Sequence, residues 1–210
     1  MTSCSIPCND VMLEGEVNHV DGITRLAILC HPHPEFGGTM WNNVINALFH
    51  GLGKLANCST MRFNFSGVGR STGMHQGGKG EIHQVSAAIR HAASTGSWNE
   101  IHVVGYSFGA AVSAPAAFSS PRVTSFTGIA FPFDFMREIT TLAVDAREGN
   151  KIPVLLVTGD RDEFTTMERF SAWARDLAAT RTIVIPEADH FLGGHEDSIV
   201  ATVVGFIAGS

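Results

Sequence analysis

Short runs of β-branched and aromatic residues recur along the 210-residue chain, each followed by a stretch in which apolar side chains return every three or four positions. That alternation is the signature of βα units wound around a mostly parallel sheet, an α/β fold. It predicts an opening hairpin of Met12 to Val20 and Thr24 to Leu29 around Asp21-Gly22. Five later strands are expected at Ser59 to Phe65, Ile101 to Tyr106, Val123 to Ala130, Val154 to Thr158 and Thr182 to Ile185, all parallel and buried. Helical spacing lies at Asn43 to Leu55, Gly80 to Ala93, Phe108 to Phe118, Thr165 to Leu177 and Asp197 to Ile207. Pro115 falls inside the third of these helices and should kink it or end it early, because proline removes a backbone donor and clashes with the preceding turn. The stretch from Ala130 to Pro153 is short, which leaves little room for an inserted cap and predicts an open site.

Composition adds bounds. With 44% apolar and 16% charged residues, residues 1–210 suit one compact domain with a sizeable core. The net charge of -6 is spread along the chain, and no Lys/Arg run exists that could neutralise a row of phosphates, so nucleic acid is not an expected partner. No stretch approaches the length of a membrane span, and Met1-Thr2-Ser3-Cys4 has neither a basic region nor an apolar run. The expectation is a soluble, cytoplasmic protein with no membrane partner. Cys4, Cys8, Cys30 and Cys58 are too few and too irregular for a disulfide framework, and Cys4/Cys8 lacks the second pair a zinc site needs, so reduced thiols are expected.

Gly67, Gly69, Gly73, Gly77, Gly78 and Gly80 make the segment after Phe65 a flexible one that is expected to border a site. As a phosphate cradle it lacks the Gly-Lys-Ser/Thr ending of a P-loop. Gly67 and Gly69 also lack the third glycine of a dinucleotide fingerprint.

The most informative motif is Gly105-Tyr106-Ser107-Phe108-Gly109, at the junction of a strand and a helix that begins Ala110-Ala111-Val112. A turn tight enough to lift a serine hydroxyl clear of the sheet brings the residues on either side of it together, and glycine permits that approach. The alternative is a buried serine in a glycine-rich turn. A serine attacks only when a histidine takes its proton and a carboxylate orients that histidine. In chain order Ser, Asp, His, the candidates follow on later strand ends. Asp162, in Gly159-Asp160-Arg161-Asp162, is the acid, with Asp160 as its rival, better suited to capping the turn. His190, in Glu187-Ala188-Asp189-His190-Phe191, is the base, whereas His195 lies beside the last helix as a solvated cap residue.

Cys30-His31-Pro32-His33-Pro34-Glu35-Phe36-Gly37-Gly38 stands where an oxyanion loop would be. Pro32 and Pro34 carry no amide hydrogen, so His33 is the natural backbone donor, with Phe108 supplying the second. His31 and His33, two apart on an extended chain, could share a face and bind metal, but no third ligand is evident nearby. Neither metal nor cofactor is expected.

These features resemble the α/β-hydrolase superfamily, in particular its small dienelactone-hydrolase-like branch of bacterial and protozoan serine hydrolases. The likeness rests on His31-Pro32-His33-Pro34 with Gly37-Gly38, Arg62-Phe63-Asn64-Phe65 with Gly67-Val68-Gly69, Ser71-x-Gly73, Gly80-Glu81 and the serine turn, and it spans nearly the whole chain. The resemblance implies an α/β-hydrolase fold with minimal or no cap, a triad of Ser107, Asp162 and His190, and an oxyanion hole from His33 and Phe108. Ser66 and Gln84 depart from it, since relatives usually carry Arg and an acid there, which loosens any analogy of substrate. Dienelactone hydrolase itself uses a cysteine, so Ser107 argues for ordinary ester or thioester cleavage. The expected activity is hydrolysis of small or short-chain carboxylic esters as a small-molecule esterase. A thioesterase, a peptidase, or a binding protein that keeps the fold without turnover are the alternatives. Phe36, Trp41, Phe108, Phe131 and Phe133 could line the pocket, but core packing is the expected role for any one of them.

Overall fold

A computed structural model of the chain describes residues 1–209. Its frame is one eight-stranded sheet: β1 (Thr2–Cys8), β2 (Val11–Asn18), β3 (Arg25–Cys30), β4 (Ser59–Phe63), β5 (Glu100–Tyr106), β6 (Ser125–Ile129), β7 (Val154–Gly159) and β8 (Arg181–Ile185). The spatial order is β1-β2-β4-β3-β5-β6-β7-β8. From β4 to β8 every neighbouring pair is parallel, and the antiparallel pairs β1–β2 and β2–β4 form the opposite flank.

The opening differs from expectation. Residues Val11–Asn18 and Arg25–Cys30 do form strands, but they do not pair, because β4 inserts between them. The hairpin is instead β1–β2, closed through Asn9 and Asp10, with Cys8 opposite Val11 and Asn9 in the left-handed region at φ 50°. Asn-Asp supplies the same turn chemistry as Asp-Gly, since asparagine tolerates positive φ. The strand β1 lies on the sheet's edge with mostly exposed, polar side chains and Pro7, so it lacks the apolar run that marks buried strands. At the other edge, β8 is also more exposed than predicted, with only Ile185 buried.

Helices cover both faces. On one side lie α1 (Asn43–Leu55) and α6 (Glu196–Ile207), whose Leu48, Phe49, Ile199 and Val203 pack on Leu29, Val104 and Val157. On the other lie α2 (Lys79–Thr95), α3 (Phe108–Phe118), α4 (Arg137–Arg147) and α5 (Met167–Asp176), against Ile28, Val103, Phe126 and Leu156. Pro115 does not break α3. It sits in the last turn, and its carbonyl accepts from Ser119 N at 3.1 Å. The helix α4 was not predicted: of its side chains only Ile139, Thr140, Ala143 and Arg147 are buried, too sparse a stripe to declare itself. It lies beside α3 and forms no cap over the carboxyl ends of the strands. Among the described residues, no helix is long and apolar enough to cross a membrane, and all four cysteines are free.

Candidate active site

Ser107, Asp162 and His190 follow β5, β7 and β8, which lie within a run of four parallel strands, so the carboxyl ends that carry them share one edge of the sheet. At the end of β5, Ser107 has φ 53° and ψ -122°, a region that L-residues seldom occupy and that costs about 1–3 kcal/mol to hold. Two glycines make the turn possible. A Cβ on Gly105 would lie 2.5 Å from the Ala110 backbone, and one on Gly109 would overlap the Cys30 carbonyl. The turn is fixed by Ser107 N, which donates to Ile129 O at 2.8 Å, and it leaves Phe108 as the first residue of α3.

The Ser107 Oγ is 2.8 Å from His190 Nε2, and His190 Nδ1 is 3.0 Å from both carboxylate oxygens of Asp162. All three are nearly sealed from solvent, at 9%, 5% and 7% exposure, so their interaction is weakly screened. The Asp162 carboxylate is itself held, accepting from Phe164 N at 2.9 Å and Thr158 Oγ1 at 3.3 Å. Each of the three residues predicted from strand-end positions is therefore brought to one point. Asp160, the rival acid, is exposed, and its amide donates to Ile185 O at 3.1 Å. His195 is the N-cap position of α6 and stands apart from the cluster, as expected of it.

The loops bearing Asp162 and His190 are tied together. Arg161 N donates to Ala188 O at 3.0 Å, and Gly159 packs so closely on Ala188 that a Cβ there would overlap its carbonyl. Beneath the histidine, Tyr106 Oη donates to the carbonyls of His190 and Phe191, each at 3.1 Å. The residue preceding Ser107 thus braces the His190 loop. Nothing in the one-dimensional pattern points to that role, because the partner lies 84 positions away.

Above Ser107 opens a cavity of about 370 Å³. The loop after β3 forms one wall, with Pro32, His33, Phe36 and Gly38; Phe108 flanks the serine; Pro132, Phe135, Met136, Phe164 and Phe191 complete it. Phe36 and Phe108 line it, where core packing was the expected role. Phe131 and Phe133 instead stack on each other in the core, centroids 4.2 Å apart, and Trp41 is outside the lining. Phe135, Phe164 and Phe191 escaped notice because wall residues in loops follow no period.

His31 is not a surface ligand. It is fully buried, its Nε2 accepts from Phe65 N at 3.1 Å, and burial pushes its pKa down to about 4. It pins the loop after β3 to the end of β4. His33 faces the other way, its ring 4.8 Å from that of Phe108, and burial followed by the nearby His75 lowers its pKa. The glycine-rich segment contributes no lining residue to the cavity, but its His75 ring lies 4.9 Å from His33. Behind it, the two positions that depart from the familial pattern meet: Gln84 Oε1 accepts from Ser66 N at 2.9 Å, while the buried Ser66 hydroxyl has no hydrogen-bond partner among the described residues.

A family model for the alpha/beta hydrolase domain matches residues 30–201. The chain belongs to the alpha/beta hydrolase family. Among solved structures, this hydrolase is 30% identical to an alpha-beta serine hydrolase homologue from Coxiella burnetii, with 99% of this chain and 96% of that one covered and a TM-score of 0.80. It is 26% identical to a protein of unknown function from Agrobacterium tumefaciens, covering 98% and 94% of the two chains with a TM-score of 0.87. An uncharacterized protein of Rickettsia prowazekii is 27% identical over 176 residues, 79% of this chain and 71% of that protein.

Proposed function

We propose that this hydrolase cleaves small or short-chain carboxylic esters through an acyl-enzyme on Ser107. The observation that carries the reading is the hydrogen-bonded line from Ser107 Oγ through His190 to Asp162, at 2.8 and 3.0 Å, on the floor of an apolar cavity. As an ester carbonyl enters, His190 Nε2 takes the serine proton while Oγ bonds to the carbonyl carbon. Asp162 keeps His190 in the tautomer that can accept, and it balances the imidazolium that forms. The developing oxyanion is received by the amides of His33 and Phe108, the second at the positive end of the α3 dipole. Collapse of the tetrahedral centre passes the proton from His190 to the leaving alkoxide. Water, deprotonated by the same histidine, then releases the acid.

The cavity's size supports a small acyl group, since about 370 Å³ is at the low end for ligand pockets. Its walls offer aromatic and proline surface with few charges, which suits a neutral substrate. Likeness to a serine hydrolase homologue over nearly the whole chain supports the same chemistry.

A fluorophosphonate probe tests the nucleophile: wild type should be labelled and Ser107→Ala should not, whereas an unlabelled wild type would overturn the reading. Rates on a series of esters from acetyl to dodecanoyl should peak among the short chains. A rate that climbs steadily to the longest acyl group would overturn the size argument, and a thioester or peptide turned over faster than every ester would replace the substrate class.

A further inference from the structure

Three side chains, none of them used by the reaction through its side chain, hold donor atoms within 4.8 Å of one another: His33, which lines the cavity, and Glu35 on the loop after β3, and His75 on the glycine-rich segment. We propose that they form a binding site for a divalent transition-metal ion of the zinc class, which clasps the two loops together.

The donor set is two imidazoles and a carboxylate, the mixture that borderline cations such as zinc prefer, with a fourth position left for water. Ligand atoms about 2.0–2.1 Å from a tetrahedral ion stand roughly 3.3 Å apart, so the three must draw closer. The freedom for this exists: Glu35 is exposed, and Gly37 and Gly77, both at positive φ, flank the two loops.

The second observation lies behind His75. Its Nδ1 is one of three buried side-chain polar atoms without a hydrogen bond among the described residues. It nevertheless stands 3.0 Å from Glu81 Oε1, close enough for an ion pair but out of line for a hydrogen bond. The Glu81 carboxylate is fully buried and fixed by Gln76 N at 2.8 Å and Gly78 N at 2.7 Å. A small rotation of the imidazole would complete an Nδ1–H bond to that carboxylate and leave Nε2 with its lone pair toward His33 and Glu35. A carboxylate behind a ligating histidine is the arrangement that fixes tautomer and raises basicity in metal sites.

On the other loop the His33 ring is held between Phe36 and Phe108, at 4.7 and 4.8 Å. Its Nδ1 accepts from Glu35 N at 3.2 Å, a long bond that coordination through Nδ1 would replace and coordination through Nε2 would leave in place. This site is distinct from the His31 and His33 pair that spacing suggests, since His31 is turned into the core. It also gives the glycine-rich segment a task, joining it to the cavity-lining loop that carries His33.

The test is direct metal binding, independent of whether the ester reading holds. Zinc would be titrated into the purified full chain against a chromophoric chelator, and Co2+ added separately for its visible spectrum. The expected result is one equivalent bound, a Co2+ spectrum without thiolate charge-transfer bands, and affinity reduced about 10- to 100-fold in His75→Ala, in Glu35→Gln and in Glu81→Gln. Circular dichroism and metal-free fluorophosphonate labelling of His75→Ala should match wild type, which separates loss of a ligand from loss of the fold. Absence of binding to wild type at 100-fold excess of zinc, or affinity unchanged in both His75→Ala and Glu35→Gln, would overturn the proposal.

Discussion

Beside the cavity Asp162, His190 and Ser107 are positioned by hydrogen bonds from three strand ends. Around them Phe36, Phe135, Phe164 and Phe191 add apolar wall whose side chains offer contact area alone, the rings of Phe164 and Phe191 lying 4.4 and 5.9 Å from that of His190. Their exposures differ accordingly, below 10% for the first group and 38% to 78% for the second. Hydrogen bonds are directional, so a bonded constellation has one low-energy arrangement. Dispersion contacts are many and weak, so an aromatic wall adapts to what it holds. Under the proposed mechanism the two sets should therefore separate turnover from recognition.

Substitutions should divide along the same line. Ser107→Ala has the largest expected effect, a loss of about 10⁴-fold or more in kcat for an ester with the fold retained, measured by steady-state kinetics beside circular dichroism. Asp162→Asn should fall by about 10⁴-fold, because the amide can present N–H to His190 Nδ1 and stabilise the wrong tautomer. Tyr106→Phe removes only the hydroxyl under the His190 loop, and a drop of about tenfold, mostly in kcat, is expected. Phe164→Ala and Phe135→Ala, in the wall, should change kcat/KM by about two- to fivefold, chiefly through KM and by different factors for different acyl groups. If either wall variant cost as much as Asp162→Asn for every ester, the division into bonded and adaptable halves would fail.

Acid offers a smaller and more general test. His31, which anchors the wall-forming loop, and His102, in β5, are both pushed by burial to a pKa of about 4, below the unfolded value. Between about pH 6.5 and 4 the unfolded chain binds protons that the folded one refuses. Stability is therefore complete above the unfolded pKa and is lost as pH falls, by up to about 1.4 kcal/mol per pH unit per histidine. The urea midpoint should decline steadily from pH 7 to pH 4.5, and a flat profile would show that neither imidazole is held neutral.

The reactive half was the legible half. Gly105 and Gly109 bracket Ser107 because the turn admits nothing larger, and Asp162 and His190 follow at strand ends because parallel sheets gather those ends. Local chemistry and topology point the same way at these positions. The aromatic wall left no such trace: Phe135, Phe164 and Phe191 stand in loops, where neither period applies. The fold was readable where strands were buried on both faces and blurred at the edges, where β1 and β8 are largely exposed. Asn9-Asp10 was the missed turn and Asp21-Gly22 the misleading one, since turn residues bend the chain without naming the strand that follows as a partner. The third histidine-cluster member, His75, lies 42 positions from His33 in a segment whose glycines drew attention to phosphate instead.

The Ser107 to His190 contact joins residues 83 positions apart, and the His190 to Asp162 contact bridges β8 to β7 at the sheet's far edge. The last strand in the chain is thus also the outermost one, and the base rides on the loop that follows it. The placement predicts that a refolding chain which buries its core around β3, β5 and β6 stays inert until β8 docks. If the proposed ester hydrolysis holds, its return after dilution from denaturant should then lag behind recovery of tryptophan fluorescence, making turnover a clock for the final step of assembly.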